Sequence, residues 1–383
     1  MNRRFAHYTL LFCTATLAGC AHFGAELPLP YAKIVEHAEQ EGKVIVYSVT
    51  SAVPALLEDF QRLYPKVKLE YVNLDTGPLY ERVIKESAGG TTADVVWSSA
   101  MDLQVKLVAE GYAMTYRSPE AGKLPTWAVW RDQAYGTTFE PIGFVYNKNL
   151  IDASEVPQTR AELMQLLLSQ PSRFKDKITA FDPAKSGLGY MLMTQDLGAS
   201  TTFWDTARAL GEAGLFAGTG SGAQFLRLNT GESVLGYNLL ASYAIARIKK
   251  DLPQLAVVLP KDYTMVMSRV AFISKRAAHP NAAKLWLDHL LSKRGQELLA
   301  GADLGTLRAD VATSMTPDAL RNQLGAAMKP IPIGIELLAP LEAEKREQFL
   351  RVWAAAVAPA AREGKAEQGP HGTRIPDSGG LRR

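Results

Sequence analysis

The run Asp182-Pro-Ala-Lys-Ser-Gly-Leu-Gly-Tyr190 carries residue types suited to holding an anion. Ser186 stands where a helix N-cap belongs, and Gly187 and Gly189 leave the first-turn backbone unshielded. The first N–H groups of a helix have no internal partner, and the helix dipole favours negative charge there. A hydroxyl and bare amides beside Lys185 suit a carboxylate, phosphate or phosphonate. The same pattern also suits an ordinarily capped helix, so the surrounding elements must decide between the two.

Those elements alternate. Residues 177–181 predict a short strand ahead of this turn, and 187–197 a helix ended by Gly198. Nearer the N-terminus, Lys43-Val-Ile-Val-Tyr47 predicts a buried strand. Ser51 is then expected to cap a helix whose Leu56, Leu57, Phe60 and Leu63 fall at helical spacing. Residues 67–72 and 94–97 predict further strands, and 79–87 and 101–110 further helices. Strand and helix joined this way predict a parallel sheet with right-handed crossovers, whose ligands lie beyond the C-terminal strand ends. Those ends carry Thr50 and Ser51 in one case and Ser98 and Ser99 in the other. They are hydroxyl-rich and uncharged, which suits binding more than chemistry.

Residues 135–147 predict two extended segments bent at Pro141, after which the alternation starts again. A helix is expected over 161–168, strands over 233–237, 255–259 and 265–273, and helices over 239–250, 281–291 and 292–300. The fold class is therefore α/β with two lobes. Residues 43–140 and 260–310 form the first lobe and 141–259 the second, and two extended crossings make a hinge. Residues 311–358 read as a C-terminal helical extension. Residues 359–383, rich in Gly, Pro, Arg and Ala, read as a disordered tail.

The N-terminus has Arg3-Arg4, an apolar stretch over 5–17 and small residues before Cys20. That describes an export signal over 1–19, too short for a membrane span. Leu17-Ala-Gly-Cys20 resembles a bacterial lipobox, which implies a diacylated Cys20 anchoring the mature chain to a membrane. The only cysteines are Cys13 and Cys20, so the mature body has no disulfide, thiol nucleophile or Cys-ligated zinc. The formal charge is +3; loss of Arg3 and Arg4 takes the 42 lysines and arginines to 40, against 39 acids. That balance gives no sign of nucleic-acid binding. No Gly-x-Ser-x-Gly elbow or His-Glu-x-x-His occurs, and Gly218-Thr-Gly-Ser-Gly222 lacks the buried strand a nucleotide loop needs. No catalytic residue, metal site or cofactor is expected.

The segments Leu259-Pro-Lys-Asp-Tyr-Thr264, Phe272-Ile-Ser-Lys-Arg-Ala-Ala-His-Pro280 and residues 282–296 resemble the closing part of periplasmic solute-binding proteins of ABC importers. Residues 44–47, 93–97, 143–148 and 182–189 match the same pattern in order, so the resemblance covers about 42–307. The branch is the one with ferric-ion, aminoethylphosphonate and sugar-phosphate binders. It implies a type II two-lobed fold, a periplasmic location, a monomer, and delivery of solute to an inner-membrane permease. A sensor partner, a membrane histidine kinase, would read the same closed form.

Ferric members of this branch resemble one another in a tyrosine pair, which the expected strand end places here at Tyr237-Asn238, so one phenolate is missing. Fe³⁺ needs several anionic oxygen ligands. The expected ligand is therefore a small anion. Ser186, Gly187 and Lys185 would hold it from the second lobe, and Ser51 and Ser99 from the first. Arg269 would supply a guanidinium fork, and Thr138 and Tyr237 neutral hydrogen bonds near the hinge. His289 is expected on a helix surface.

Overall fold

Strands that alternate largely with helices build two sheets in the computed structural model of the protein, which describes residues 29–358 apart from residue 52. The expected signal peptide, Cys20 and the tail lie outside the described residues. The first lobe opens with α1 (Leu29–Glu41), β1 (Lys43–Ser48), α2 (Pro54–Leu63), β2 (Lys68–Asn73), α3 (Thr76–Ala88), β3 (Val95–Ser98) and α4 (Met101–Ala109). β2, β1 and β3 are parallel, as the alternation predicts. α2 begins at Pro54 with Val53 at its N-cap. Proline's fixed φ and missing N–H favour that first position, so Ser51 is not a cap and stays in the preceding loop.

β4 (Val129–Trp130) and β5 (Ala134–Gly136) extend this sheet, and β6 (Glu140–Asn147) begins the other. The second lobe continues through α5 (Arg160–Ser169), α6 (Pro171–Phe174), β7 (Ile178–Phe181), α7 (Gly187–Ala199), α8 (Phe203–Glu212), β8 (Phe216–Gly218), α9 (Ser221–Thr230), β9 (Leu235–Leu240), α10 (Ala241–Lys250), β10 (Leu255–Val258) and β11 (Thr264–Met267). β12 (Val270–Ile273) then returns to the first sheet, antiparallel to β3 and β5. β9, β7 and β8 are parallel, and β6 runs antiparallel to β9. Each sheet is thus mixed where alternation alone predicts a parallel one, because strands that cross between lobes run against the parallel set.

The crossings fall at residues 137–139 and at Ser268–Arg269. The single strand expected over 265–273 is therefore two strands in two sheets. The bend expected at Pro141 comes earlier; Pro141 lies inside β6, opposite Val266 of β11. β9 runs to Leu240, three residues beyond its expected end, because all six of its residues are buried.

α11 (Pro280–Leu291) and α12 (Lys293–Gly301) close the first lobe, followed by α13 (Pro317–Leu324), β13 (Met328–Pro330) and α14 (Ala343–Val357). β13 pairs parallel with β11 in the second sheet, so the extension adds a third connection beside the two hinge segments. α14 then packs Phe349 and Trp353 against Phe203 of α8. One apolar cluster fills the first lobe around Phe60, Trp97 and Trp286, and another fills the second around Phe144, Phe203 and Trp353. A third joins Leu79 and Met101 of the first lobe to Phe181 and Leu188 of the second, so the lobes are in contact. His289, expected at the surface, is buried against Phe60 and Trp286.

Candidate functional site

Between the lobes lies a cleft of about 620 Å³. Ser51, Ser99, Lys185, Ser186 and Arg269, five of the residues singled out in the sequence, all line it. Gly187, Thr138 and Tyr237 do not.

The second lobe contributes two helix starts. At α7 the Ser186 hydroxyl accepts a hydrogen bond from the Gly189 amide at 3.1 Å, which is the N-cap the sequence predicts. Gly189 is needed for packing: a Cβ there would stand 2.7 Å from the Phe181 Cβ. Gly187 faces the first lobe rather than the cleft, 3.1 Å from Thr76 Oγ1 by the same measure. It borders a smaller neighbouring cavity of about 370 Å³ lined also by Asp102, Lys106 and Arg346. The second start is that of α9, reached through Thr219 and Gly220, where no side chain caps the helix. The glycine-rich run fits no nucleotide loop, so its place in the cleft is not evident from the sequence alone. Its glycines were the available signal, since a Cβ on Gly220 or Gly222 would meet nothing within 4 Å.

The first lobe answers with the start of α3, whose Asp75, Thr76 and Gly77 enter the cleft without a side-chain cap. Asp75 and Asn73 carry no local signal for this role, because their stretch reads as a connection after a strand. Thr50, Ser51 and Ser99 complete this wall.

Arg269 sits where the two sheets meet, and its charge is already paired. Its Nε and Nη2 donate to the two carboxylate oxygens of Glu140 at 2.9 and 3.2 Å, and Nη1 donates to Thr50 Oγ1 at 2.9 Å. Glu140 also accepts from Thr138 Oγ1 at 2.7 Å and Ser242 Oγ at 2.9 Å, and is fully buried. Thr138 therefore holds the hinge pair together instead of facing a ligand.

Tyr237 lies inside β9 and points into the second-lobe core, stacked on Phe144. Its hydroxyl donates to Asp196, which also accepts from Asn238 Nδ2 at 2.6 Å and from Tyr263. Arg160 Nε lies 3.0 Å from the same carboxylate. Burial and the Asp196 charge hold the Tyr237 phenol well above its ordinary pKa, so it stays neutral. The pair Tyr237-Asn238 is thus a core network, and the residues that leave β9 toward the cleft are Leu240 and Tyr243. Trp97 is likewise core, its Nε1 donating to Thr137 Oγ1 at 2.8 Å.

The family profile described as "Bacterial extracellular solute-binding protein" matches residues 48–297. The chain is similar to the substrate-binding protein of an ABC transporter from Agrobacterium tumefaciens, at 35% identity over 82% of this chain and 94% of that one, with a TM-score of 0.78. It shares its fold with the periplasmic binding protein AfuA from Actinobacillus pleuropneumoniae, a structure with fructose 6-phosphate bound (20% identity, 82% and 98% coverage, TM-score 0.66). Iron-bound HitA from Pseudomonas aeruginosa has the same fold (17% identity, 82% and 99% coverage, TM-score 0.63). No match is found among curated proteins. With the profile spanning most of both lobes and a relative of that similarity along nearly its whole length, the chain belongs to the bacterial extracellular solute-binding proteins, the periplasmic substrate-binding components of ABC transporters.

Proposed function

We propose that this protein captures a small organic anion (a phosphate, phosphonate or carboxylate) between its lobes and delivers it to an ABC permease. One observation carries the reading: three helix starts, α3 from one lobe and α7 and α9 from the other, open on a single cleft beside Ser51 and Ser99. Backbone N–H groups and aligned dipoles at helix starts stabilise negative charge. Ligand contact with both lobes favours the closed form. A ferric ligand is the poorer fit. Among the described residues the cleft offers one phenol, Tyr243, and one carboxylate, Asp75, and a hard trivalent cation needs several anionic oxygens. No helix of the described residues is long and apolar enough to cross a membrane, and a lipid on Cys20 would supply the anchor. Radiolabelled palmitate incorporated into the wild type and lost in Cys20→Ser tests that part.

A thermal-shift screen of carboxylates, phosphates, phosphonates, sugar phosphates and Fe³⁺ tests the ligand class. A ligand at 100 times its dissociation constant stabilises by about 2.7 kcal/mol. An organic anion is expected to raise Tm. A shift with Fe³⁺ alone, with a visible phenolate charge-transfer band, would overturn the reading.

A further inference from the structure

The cleft adjoins the second cavity of about 370 Å³, with which it shares Gly77, Lys185 and Ser186. One wall of that cavity belongs to the first lobe, through Tyr80 and Glu81 of α3 and Asp102 and Lys106 of α4. The other belongs to the second lobe, through Lys185 and Tyr190, and to Arg346 of α14. A hinge motion that opens the cleft therefore parts these walls as well.

Asp102 is 3% exposed, and its side chain makes one hydrogen bond to another of the described residues, accepted from the Leu103 amide at 2.8 Å. The cations around it are engaged elsewhere. Lys106 lies 3.9 Å from Glu110 and Lys185 3.2 Å from Asp182, while the Arg346 guanidinium sits 4.4 Å from the centre of the Tyr190 ring. On the α3 side Tyr80 brings a phenol and Glu81 a second carboxyl. A carboxyl shut away from water without a paired cation favours its protonated form, and burial raises Asp102 to about 7. Once the walls part, water reaches the group, and an exposed aspartate ionises near about 4. The closed form thus keeps a proton that the open form gives up. Closure is favoured while that proton is held and disfavoured as pH rises through the closed-form pKa.

We infer that Asp102 couples closure to proton uptake, so that the lobes shut more readily in acid than in alkali. This rests on closure around a solute as read above; no solute enters the test, so its failure leaves the anion reading in place.

A disulfide across the lobe contact supplies the test. A Cβ on Gly187 would stand 3.5 Å from the Thr76 Cβ, within the roughly 3.5–4.5 Å that a disulfide spans. Thr76→Cys with Gly187→Cys, in a full chain also carrying Cys13→Ser and Cys20→Ser, fixes the closed form when oxidised and frees it when reduced. In protein labelled with carboxyl-¹³C aspartate, the NMR signal lost in Asp102→Asn reports Asp102. Its midpoint is expected at about 7 in the oxidised chain, and about one pH unit or more lower in the reduced chain, where opening lets the carboxylate reach water. An ordinary aspartate midpoint in the oxidised chain, equal midpoints in the two forms, or a pair that never oxidises would overturn the coupling. Small-angle scattering at pH 8.5 separates the ways of failing. With equal midpoints, a reduced chain larger than the oxidised one rejects the role of Asp102 alone, and a reduced chain no larger rejects the hinge motion with it.

Discussion

The side chains of Glu140 and Arg269 add a tie between the lobes to the chain crossings beside them. Thr50 of the first lobe touches the guanidinium, and Ser242 of the second touches the carboxylate. Both charged groups are buried, and the pair's remaining hydrogen-bond capacity is largely filled by hydroxyls. Breaking a buried pair strands the surviving charge and costs about 3–5 kcal/mol. Glu140→Ala should therefore destabilise by about that much in urea denaturation, with Glu140→Gln milder because the amide oxygen still accepts. A loss under about 0.5 kcal/mol would show that water reaches Arg269 and screens it. Ser186→Ala should cost about 1 kcal/mol, the usual value of an N-cap, because only Gly189's amide loses its acceptor.

Helix placement depends on glycines where backbones come close. At Gly211 of α8 a Cβ would stand 2.5 Å from Val357 Cα and 2.7 Å from Ala356 O, at the end of α14. Even alanine there must push α14 outward, and overpacking of this kind costs about 1–3 kcal/mol. Gly211→Ala should lower Tm and leave the cleft's ligand affinity unchanged, since α8 and α14 do not line it. Gly189→Ala meets Phe181 at 2.7 Å instead. It should lower both stability and affinity, because it displaces the start of α7. Equal effects of the two on affinity would argue against α7 as a ligand-facing helix.

Closure and pH act on the whole molecule. A solute that shifts the open-to-closed ratio from 1:99 to 99:1 must favour the closed form by about 5.5 kcal/mol, which two or three charge-assisted hydrogen bonds can supply. Small-angle scattering should then show a smaller radius of gyration with ligand, and an unchanged value at saturation would remove the hinge motion. Asp102 of α4 lies at the contact between lobes, beside Lys106 and Arg346. Burial raises its carboxyl to about 7, and Asp288 rises to about 6 for the same reason. Each folded-state pKa is above the unfolded value, so each contributes stability that is complete below about pH 4 and lost as pH rises through those values. Asp102→Asn should flatten the fall in stability between about pH 4 and 7 and leave the variant more stable than wild type at pH 8. His289 works in the other direction. Burial lowers its pKa, so its contribution is present above about pH 6.5 and lost as pH falls. That is why the paired comparison, and not the wild-type profile alone, isolates Asp102.

Local pattern in the chain determined the alternation of strands and helices, the cap at Ser186 and the two-lobed class, because periodicity and capping act over a few residues. It also marked Ser51, Ser99, Lys185 and Arg269, which the fold brings to one cleft. Long-range pairing decided the rest. Whether residues 265–273 form one strand or two depends on which sheets receive them, and no local signal at Ser268–Arg269 says so. Tyr237 went to the core because β9 stays paired through Leu240, which turns its side chain inward. Only tertiary structure could show that Glu140, 129 residues from Arg269, already neutralises it. Charge compensation depends on distances in space, and spacing along the chain does not encode them.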